Sequence, residues 1–291
     1  MKKVFYIFLI FFLIGMAFII GLGTGFIFKD EDGFTTGDKV ALLSIEGVIL
    51  DSKIYLESIT SIKKDKNIKA LVLRINSPGG AVGPSQEIYS EILKLRKVMP
   101  VIASLGSVAA SGGYYIACSA DKILTNPGTI TGSIGVIAQF VNYKELLKWA
   151  KMDVEVLKSG KFKDSGSPLR DLTPEERAYL QSTIDNVHAQ FKRAVSETRG
   201  LTPKEVDKIA DGRIFTGEQA INLKLVDEIG TMNDAIEAAA ALGNIEGEPN
   251  VTHYPKKKTR LIDVLSILET SIIPKIPFNS RFGLYYLVNT I

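Results

Sequence analysis

The feature that most constrains this chain is an uncharged run near its start. Residues 4–28 contain no Asp, Glu, Lys or Arg and are rich in Phe, Ile and Leu, behind a basic Met1-Lys2-Lys3 head. As a helix, about 25 residues at ~1.5 Å each would reach ~37 Å, longer than the ~30 Å hydrocarbon core of a bilayer. A cleaved secretion signal has a shorter apolar stretch, ~7–15 residues, and ends in an Ala-x-Ala-like site. Here Gly21, Gly23 and Gly25 make a poor cleavage site. The run therefore predicts an uncleaved single-pass membrane anchor over residues 1–28. Lys2 and Lys3 favour a cytoplasmic N-terminus, which places the body outside the cytoplasm. Residues 29–38 read as a polar linker.

The remainder is long enough for one sizeable core, expected over residues 39–244, with a distinct C-terminal helix and tail over 245–291 suited to oligomerisation. The charge balance, 35 basic against 32 acidic residues, lacks the basic excess of a nucleic-acid binder. The single cysteine, Cys118, excludes an intrachain disulfide and a cysteine-rich zinc site. No metal or cofactor is called for. Apolar β-branched runs at 40–50, 70–75 and 100–105 predict buried strands, with shorter ones at 123–125, 134–138 and 154–157. Helical spacing is expected at 52–62, 84–98, 111–120, 143–151 and 231–242. Thr173-Pro174-Glu175-Glu176, Thr202-Pro203-Lys204-Glu205 and Thr216-Gly217-Glu218-Gln219 are capping boxes that open three further helices. Alternating strands and helices predict a mostly parallel α/β layer fold. Cys118, Tyr143 and Trp149 are expected to be packing residues.

Ala109-Ala110-Ser111-Gly112-Gly113 places a serine between a strand and a helix, flanked by small residues. This is the layout of a nucleophile elbow, in which the helix N-terminus favours an oxyanion; an ordinary serine cap is the plainer reading. Ser77-Pro78-Gly79-Gly80 ends a strand with glycines that expose main-chain N–H groups. A serine nucleophile needs a base. His188 lies inside a capped helix and His253 precedes a basic cluster, so neither suits that role. A lysine whose ammonium is buried can serve instead, and the loop after residue 157 holds three candidates, Lys158, Lys161 and Lys163. Composition does not choose among them.

Taken together, Asn76-Ser77-Pro78-Gly79-Gly80, the run 106–115 around Ser111, Thr131-Gly132-Ser133-Ile134-Gly135-Val136 and Ser159-Gly160-Lys161-Phe162-Lys163-Asp164 resemble the signal peptide peptidase A family of bacterial Ser–Lys proteases, in order from about Val40 to Leu242. The resemblance implies a Clp protease/crotonase-like α/β fold of repeated ββα units, preceded by one transmembrane helix. It implies Ser111 as nucleophile, Lys163 as general base and Ser133 as the residue that orients the lysine. The N–H groups of Gly80 and Ser111 would form the oxyanion hole. It further implies a ring or dome of copies on the lipid bilayer, with Ser and Lys supplied by neighbouring chains. The substrates would be peptides, specifically remnant signal peptides. Two other classes are compatible with parts of the sequence: a crotonase-like acyl-CoA enzyme, which leaves Ser111 and the anchor unexplained, and a non-catalytic membrane scaffold, which leaves the four motifs unused.

Overall fold

Burial of the first strands on both faces organises the main sheet. The computed structural model describes residues 12–16, 37–256 and 285–287. Strand β1 (Lys39–Glu46) and strand β2 (Ile68–Ser77) pair in parallel, and both bury nearly every side chain. Alternate residues of a strand face opposite sides of the sheet. On one face Ala41, Leu43, Ile45, Leu71, Leu73 and Ile75 enter the larger core, under helices α1 (Lys53–Lys64) and α2 (Val82–Leu95). On the other, Val40, Leu42, Ala70 and Val72 meet Ala235, Ala239 and Ala240. Those alanines lie on the last long helix, Met232–Leu242. A sheet covered on both faces needs such continuous apolar strands, which is why they read as unbroken runs.

Strand β3 (Gly79–Ala81) follows β2 directly, and β4 (Val101–Ala110) lies beside β2. β4 forks: its first half pairs with β5 (Lys122–Thr125) and its second with β6 (Ile130–Gly132). Helix α3 (Gly112–Ala117) leaves the end of β4. After α4 (Lys144–Trp149) come α5 (Pro174–Arg199), α6 (Pro203–Asp207), β7 (Ile214–Thr216), α7 (Gly217–Asn222), β8 (Glu228–Ile229), α8 (Met232–Leu242) and β9 (Asn250–Tyr254). The eight-stranded sheet runs β7-β6-β4-β2-β1-β9, with β5 beside β4 and β8 beyond it. All pairs in it are parallel except β6 with β7. A separate two-stranded sheet joins β3 to β10 (Tyr285–Leu287).

The three expected capping boxes form, with each Thr hydroxyl accepting the N–H of the residue three on. A fourth, Thr231 with Asp234, opens α8. Several expectations fail. Residues 134–138 make no strand; the pairing segment lies earlier, in β6, where it meets the end of β4. Residues 154–157 are exposed and unpaired, because no sheet edge among the described residues reaches them. Tyr143 and Trp149 are likewise exposed, Trp149 at 82%, and α4 buries none of its residues. β9 extends the main sheet past residue 244, into the stretch assigned to the tail. No described helix is long and apolar enough to cross a membrane. The expected anchor falls almost entirely outside the described residues, as does the basic cluster from Lys257 onward.

Candidate active site

The site is built where β2 and β4 end. Their register slips between Ile75 and Ser77, so that Ser77 sits opposite Ala109 and β4 carries extra residues. Such a bulge bends a strand and re-aims the side chains beyond it. The Asn76 side chain fills the gap: its Oδ1 accepts the Val108 N–H at 3.2 Å. Three residues on, Ser111 takes φ 53° and ψ −119°, a conformation that costs a non-glycine residue of order 1–3 kcal/mol. Ser111 is 1% exposed and its Oγ has no hydrogen-bond partner among the described residues. A buried hydroxyl without a partner costs about 1–3 kcal/mol. Strain and an unmet hydroxyl thus coincide on one side chain, the arrangement expected of a group held ready for chemistry.

The glycine motif meets this serine. Within β3, the Gly79 N–H is taken by Ser77 Oγ at 3.1 Å and the Ala81 N–H by the Ile49 carbonyl at 2.7 Å. That leaves the Gly80 N–H facing the other edge of the strand. Gly80 itself admits no side chain, because a Cβ there would lie 2.0 Å from the Ile49 carbonyl oxygen. A Cβ on Gly112 would stand 3.2 Å from the Gly80 nitrogen and 2.7 Å from Ser85 Oγ. Two motifs some 30 residues apart in sequence are therefore in main-chain contact at this point.

One assignment is corrected. The Ser111 N–H donates to the Gly132 carbonyl at 2.8 Å, continuing the β4–β6 ladder, so it does not face the site as an oxyanion donor. The Gly112 N–H, first in α3, has no intrahelical acceptor and lies beside Gly80. The same bond to Gly132 brings Ser133 next to the elbow; Ser133 is 8% exposed, has φ 52°, and donates its N–H to the Arg213 carbonyl at 2.8 Å. Sequence reading missed Asn76, Ser85 and Gly112 as site residues. The bulge that employs Asn76 is a register property with no local signature.

The lysines separate clearly. Lys158 pairs with Asp164, and Lys161 with Glu175. Lys163 is exposed and has no ion pair among the described residues. It rides on a tightly held turn. Arg170 Nε donates to Asp164 Oδ2 at 2.9 Å, and its Nη1 donates to Glu176 Oε2 at 2.8 Å. The buried Glu176 also accepts the Thr173 N–H at 2.9 Å, closing the cap of α5. The Arg170 guanidinium, then the Lys158 ammonium, holds the Asp164 carboxyl well below the ordinary carboxylate range. Arg170 likewise brings Glu176 down to about 2. The structure does not bring Lys163 to Ser111, whose Oγ stands alone among the described side chains. Neither histidine touches it: His188 Nε2 lies 3.2 Å from the Ile134 carbonyl, and His253 is exposed on β9. Cys118 is fully buried, and burial pushes its thiol up to about 11, as befits a core residue.

The profile of Peptidase family S49 matches residues 94–246, and that of Clp protease matches 49–126. A Synechocystis protein named as a protease is 43% identical over 214 residues, covering 73% of this chain and 77% of that one. A protein of Enterococcus faecium, named as a signal peptide peptidase, is 36% identical over 222 residues, covering 72% and 64%. The chloroplastic serine protease SPPA of Arabidopsis thaliana is 33% identical over 234 residues, covering 79% and 35%. The match thus spans less than two thirds of the last two proteins.

Proposed function

The chain belongs to peptidase family S49 and is a serine peptidase, and from that premise we propose that Ser111 and Lys163 form its catalytic dyad. The observation that carries this reading is the buried, strained and partnerless Ser111 Oγ, whose neighbour Gly112 closely approaches the Gly80 nitrogen. In the reaction the neutral Lys163 amine takes the Ser111 proton as Oγ bonds to a peptide carbonyl carbon. The carbonyl oxygen becomes an oxyanion held by Gly80 and Gly112. As the C–N bond breaks, Lys163 returns the proton to the leaving amine. It then deprotonates a water, which releases the acyl group and restores Ser111. Ser133, beside the elbow, orients the amine.

A lysine acts as a base once burial strips its ammonium of water, and within one chain Lys163 is exposed. A neighbouring copy supplies that cover in this reading, so that each site joins Ser111 of one chain to Lys163 of the next. The exposed Val141, Leu146, Trp149, Met152 and Leu157 around that loop support an assembly, because apolar patches of this kind mark interfaces. The uncharged N-terminal run supports an anchor that holds the ring on the membrane, with the body outside the cytoplasm. Remnant signal peptides in the bilayer are then the substrates within reach. The sheet, with its Clp protease match, is taken as the ββα-repeat fold. An acyl-CoA role would leave the strain at Ser111 without a purpose.

The test uses full-length Ser111→Ala, Lys163→Ala and an equimolar co-assembled mixture, assayed for peptide hydrolysis. Two inactive singles and an active mixture are expected. Full activity of Lys163→Ala would overturn the dyad and turn attention to Lys161.

A further inference from the structure

β1, β2, β4, β5 and β9 run parallel, so they all begin at one end of the sheet, while Ser111 follows β4 at the other. Helices α1 and α2 finish at that starting end, since each leads into the next strand, α1 into β2 and α2 into the adjacent β4. Four exposed lysines gather there. Lys63 and Lys64 close α1, Lys66 lies in the turn into β2, and Lys97 follows α2. The turn with Lys66 is pinned to the first strand, because the Asn67 carbonyl accepts the Lys39 N–H at 2.7 Å. None of the four has an ion pair among the described residues, whereas their neighbours Lys69, Lys94, Arg96 and Lys122 each hold a carboxylate. The carboxylates between them are engaged: Asp65 Oδ1 accepts the Asn67 N–H at 2.9 Å, and Asp121 pairs with Arg96. The exposed Glu246 and Glu248 lie on the segment entering β9, at the edge of the sheet. The partial negative charge of a helix C-terminus accounts for Lys63 and Lys64. It does not account for Lys66 and Lys97, which lie beyond the helix ends. Val98, next to Lys97, is 63% exposed.

We infer that this basic end of the sheet docks on an anionic lipid surface, with Lys63, Lys64, Lys66 and Lys97 at the headgroups and Val98 among them. The inference rests on the membrane-anchor reading for its geometry. The place where the chain enters the body identifies the occupant. Residues 29–38 separate the uncharged run from Lys39, and a stretch of that length reaches at most ~35 Å. Lys39 is bonded to the turn that bears Lys66. An anchor therefore keeps the basic end, and not the Ser111 end, within that distance of the bilayer. Lysines are drawn to anionic headgroups over about a Debye length, ~8 Å at physiological salt. The tether supplies the approach and the four charges supply the orientation. An exposed apolar side chain such as Val98 gains by entering the boundary between headgroups and acyl chains. Ser111 follows the ten-residue β4, which at ~3.3 Å per residue sets it on the side away from the headgroups.

The experiment places the full chain in nanodiscs of phosphatidylcholine alone, or with about 30% phosphatidylglycerol, and follows acetylation of each lysine amine by mass spectrometry. We expect Lys63, Lys64, Lys66 and Lys97 to react roughly threefold more slowly, or more, in the anionic discs. Lys53, exposed at the opposite end of α1, should react equally in both. The difference should vanish in about 1 M NaCl, where the Debye length is about 3 Å. A second measurement uses Val98→Cys carrying an environment-sensitive dye, since Cys118 is fully buried. Its emission should shift to the blue in anionic discs, and changing the four lysines to Gln should abolish the shift. Equal acetylation in the two bilayers, or slowing that survives high salt, overturns the inference. So does slowing by soluble polyphosphate without any by anionic discs, which would assign the patch to an acidic polymer. If the chain enters neither kind of disc, the anchor reading fails. The same acetylation comparison with added vesicles of the two compositions then decides whether these lysines seek anionic lipid. Peptidase activity enters none of these readings.

Discussion

Ser111 gives its backbone N–H to the carbonyl of Gly132 at 2.8 Å, so the elbow that carries this serine is the last rung of a sheet ladder. The sharp backbone turn is fixed from outside the turn. This explains how a non-glycine residue holds a positive φ there and how Ser133, one residue past Gly132, reaches the same place.

The strain at Ser111 gives a stability prediction. Ser111→Gly relieves the unfavourable φ and removes a buried hydroxyl without a partner. The variant is expected to unfold at higher urea, with a gain of about 1 kcal/mol or more, and to lose all peptidase activity. Equilibrium urea unfolding followed by far-UV circular dichroism checks this. A loss of stability would mean that the Oγ makes a stabilising contact.

Gly112 supplies a second prediction. In Gly112→Ala the new methyl falls 2.7 Å from Ser85 Oγ and 3.2 Å from the Gly80 nitrogen. Activity should fall about 10²-fold, the scale of a damaged oxyanion site. Adding Ser85→Gly makes room on one side only. It should restore the thermal midpoint but not kcat, because the methyl still crowds Gly80. Recovery of kcat in the double variant would show that Gly80 is not a donor.

Arg170 joins Asp164 and Glu176, and both carboxyls sit below their ordinary values, so each favours the folded state while ionised. For a depressed carboxyl, that stability is fully present above its unfolded value and is lost as pH falls through the folded one. For Glu176 the window runs from 4.5 down to about 2. Arg170→Ala should flatten this acid-side slope in unfolding measurements at stepped pH. It should also lower kcat more than KM, because the turn bearing Lys163 loses its brace. An unchanged slope would mean that the guanidinium is not what holds those carboxyls down.

The apolar loop gives a fourth prediction. Leu157 is 90% exposed and Trp149 82%. A double change to Glu at these positions should shift the protein, in detergent, from assembly to monomer by analytical ultracentrifugation. Hydrolysis should fall with it, while the thermal midpoint stays put. Retained assembly would place the subunit contact elsewhere.

Most of the sheet was legible in the sequence, because β1, β2 and the first half of β4 bury both faces and so read as unbroken apolar runs. The capping boxes were legible because their chemistry is local. The failures turn on pairing partners that the local pattern does not show. Residues 154–157 look like a core strand, yet among the described residues they have nothing to pair with. Trp149 misled in the same way. Within the site, Ser111 and Gly80 stood out through their small neighbours. The engagement of the Ser111 N–H by Gly132 depends on a partner strand about 20 residues away and leaves no mark near Ser111. The residues alone left Lys158, Lys161 and Lys163 open and only the family resemblance singled out Lys163; the structure adds that the other two have carboxylate partners.

β9 has a bearing on how the protein is made. It pairs in parallel with β1, from Lys39 beside Asn250 to Leu43 beside Tyr254. The first described strand of the body to be synthesised thus waits for β9, the last described strand of the main sheet. Until residue 254 has been translated, one flank of an apolar strand is an open template for pairing with other chains. Holding the nascent body close to a membrane, or to a chaperone, during that interval would protect it. Fragments that stop before residue 250 should accumulate as aggregates even though they contain every residue proposed for the active site.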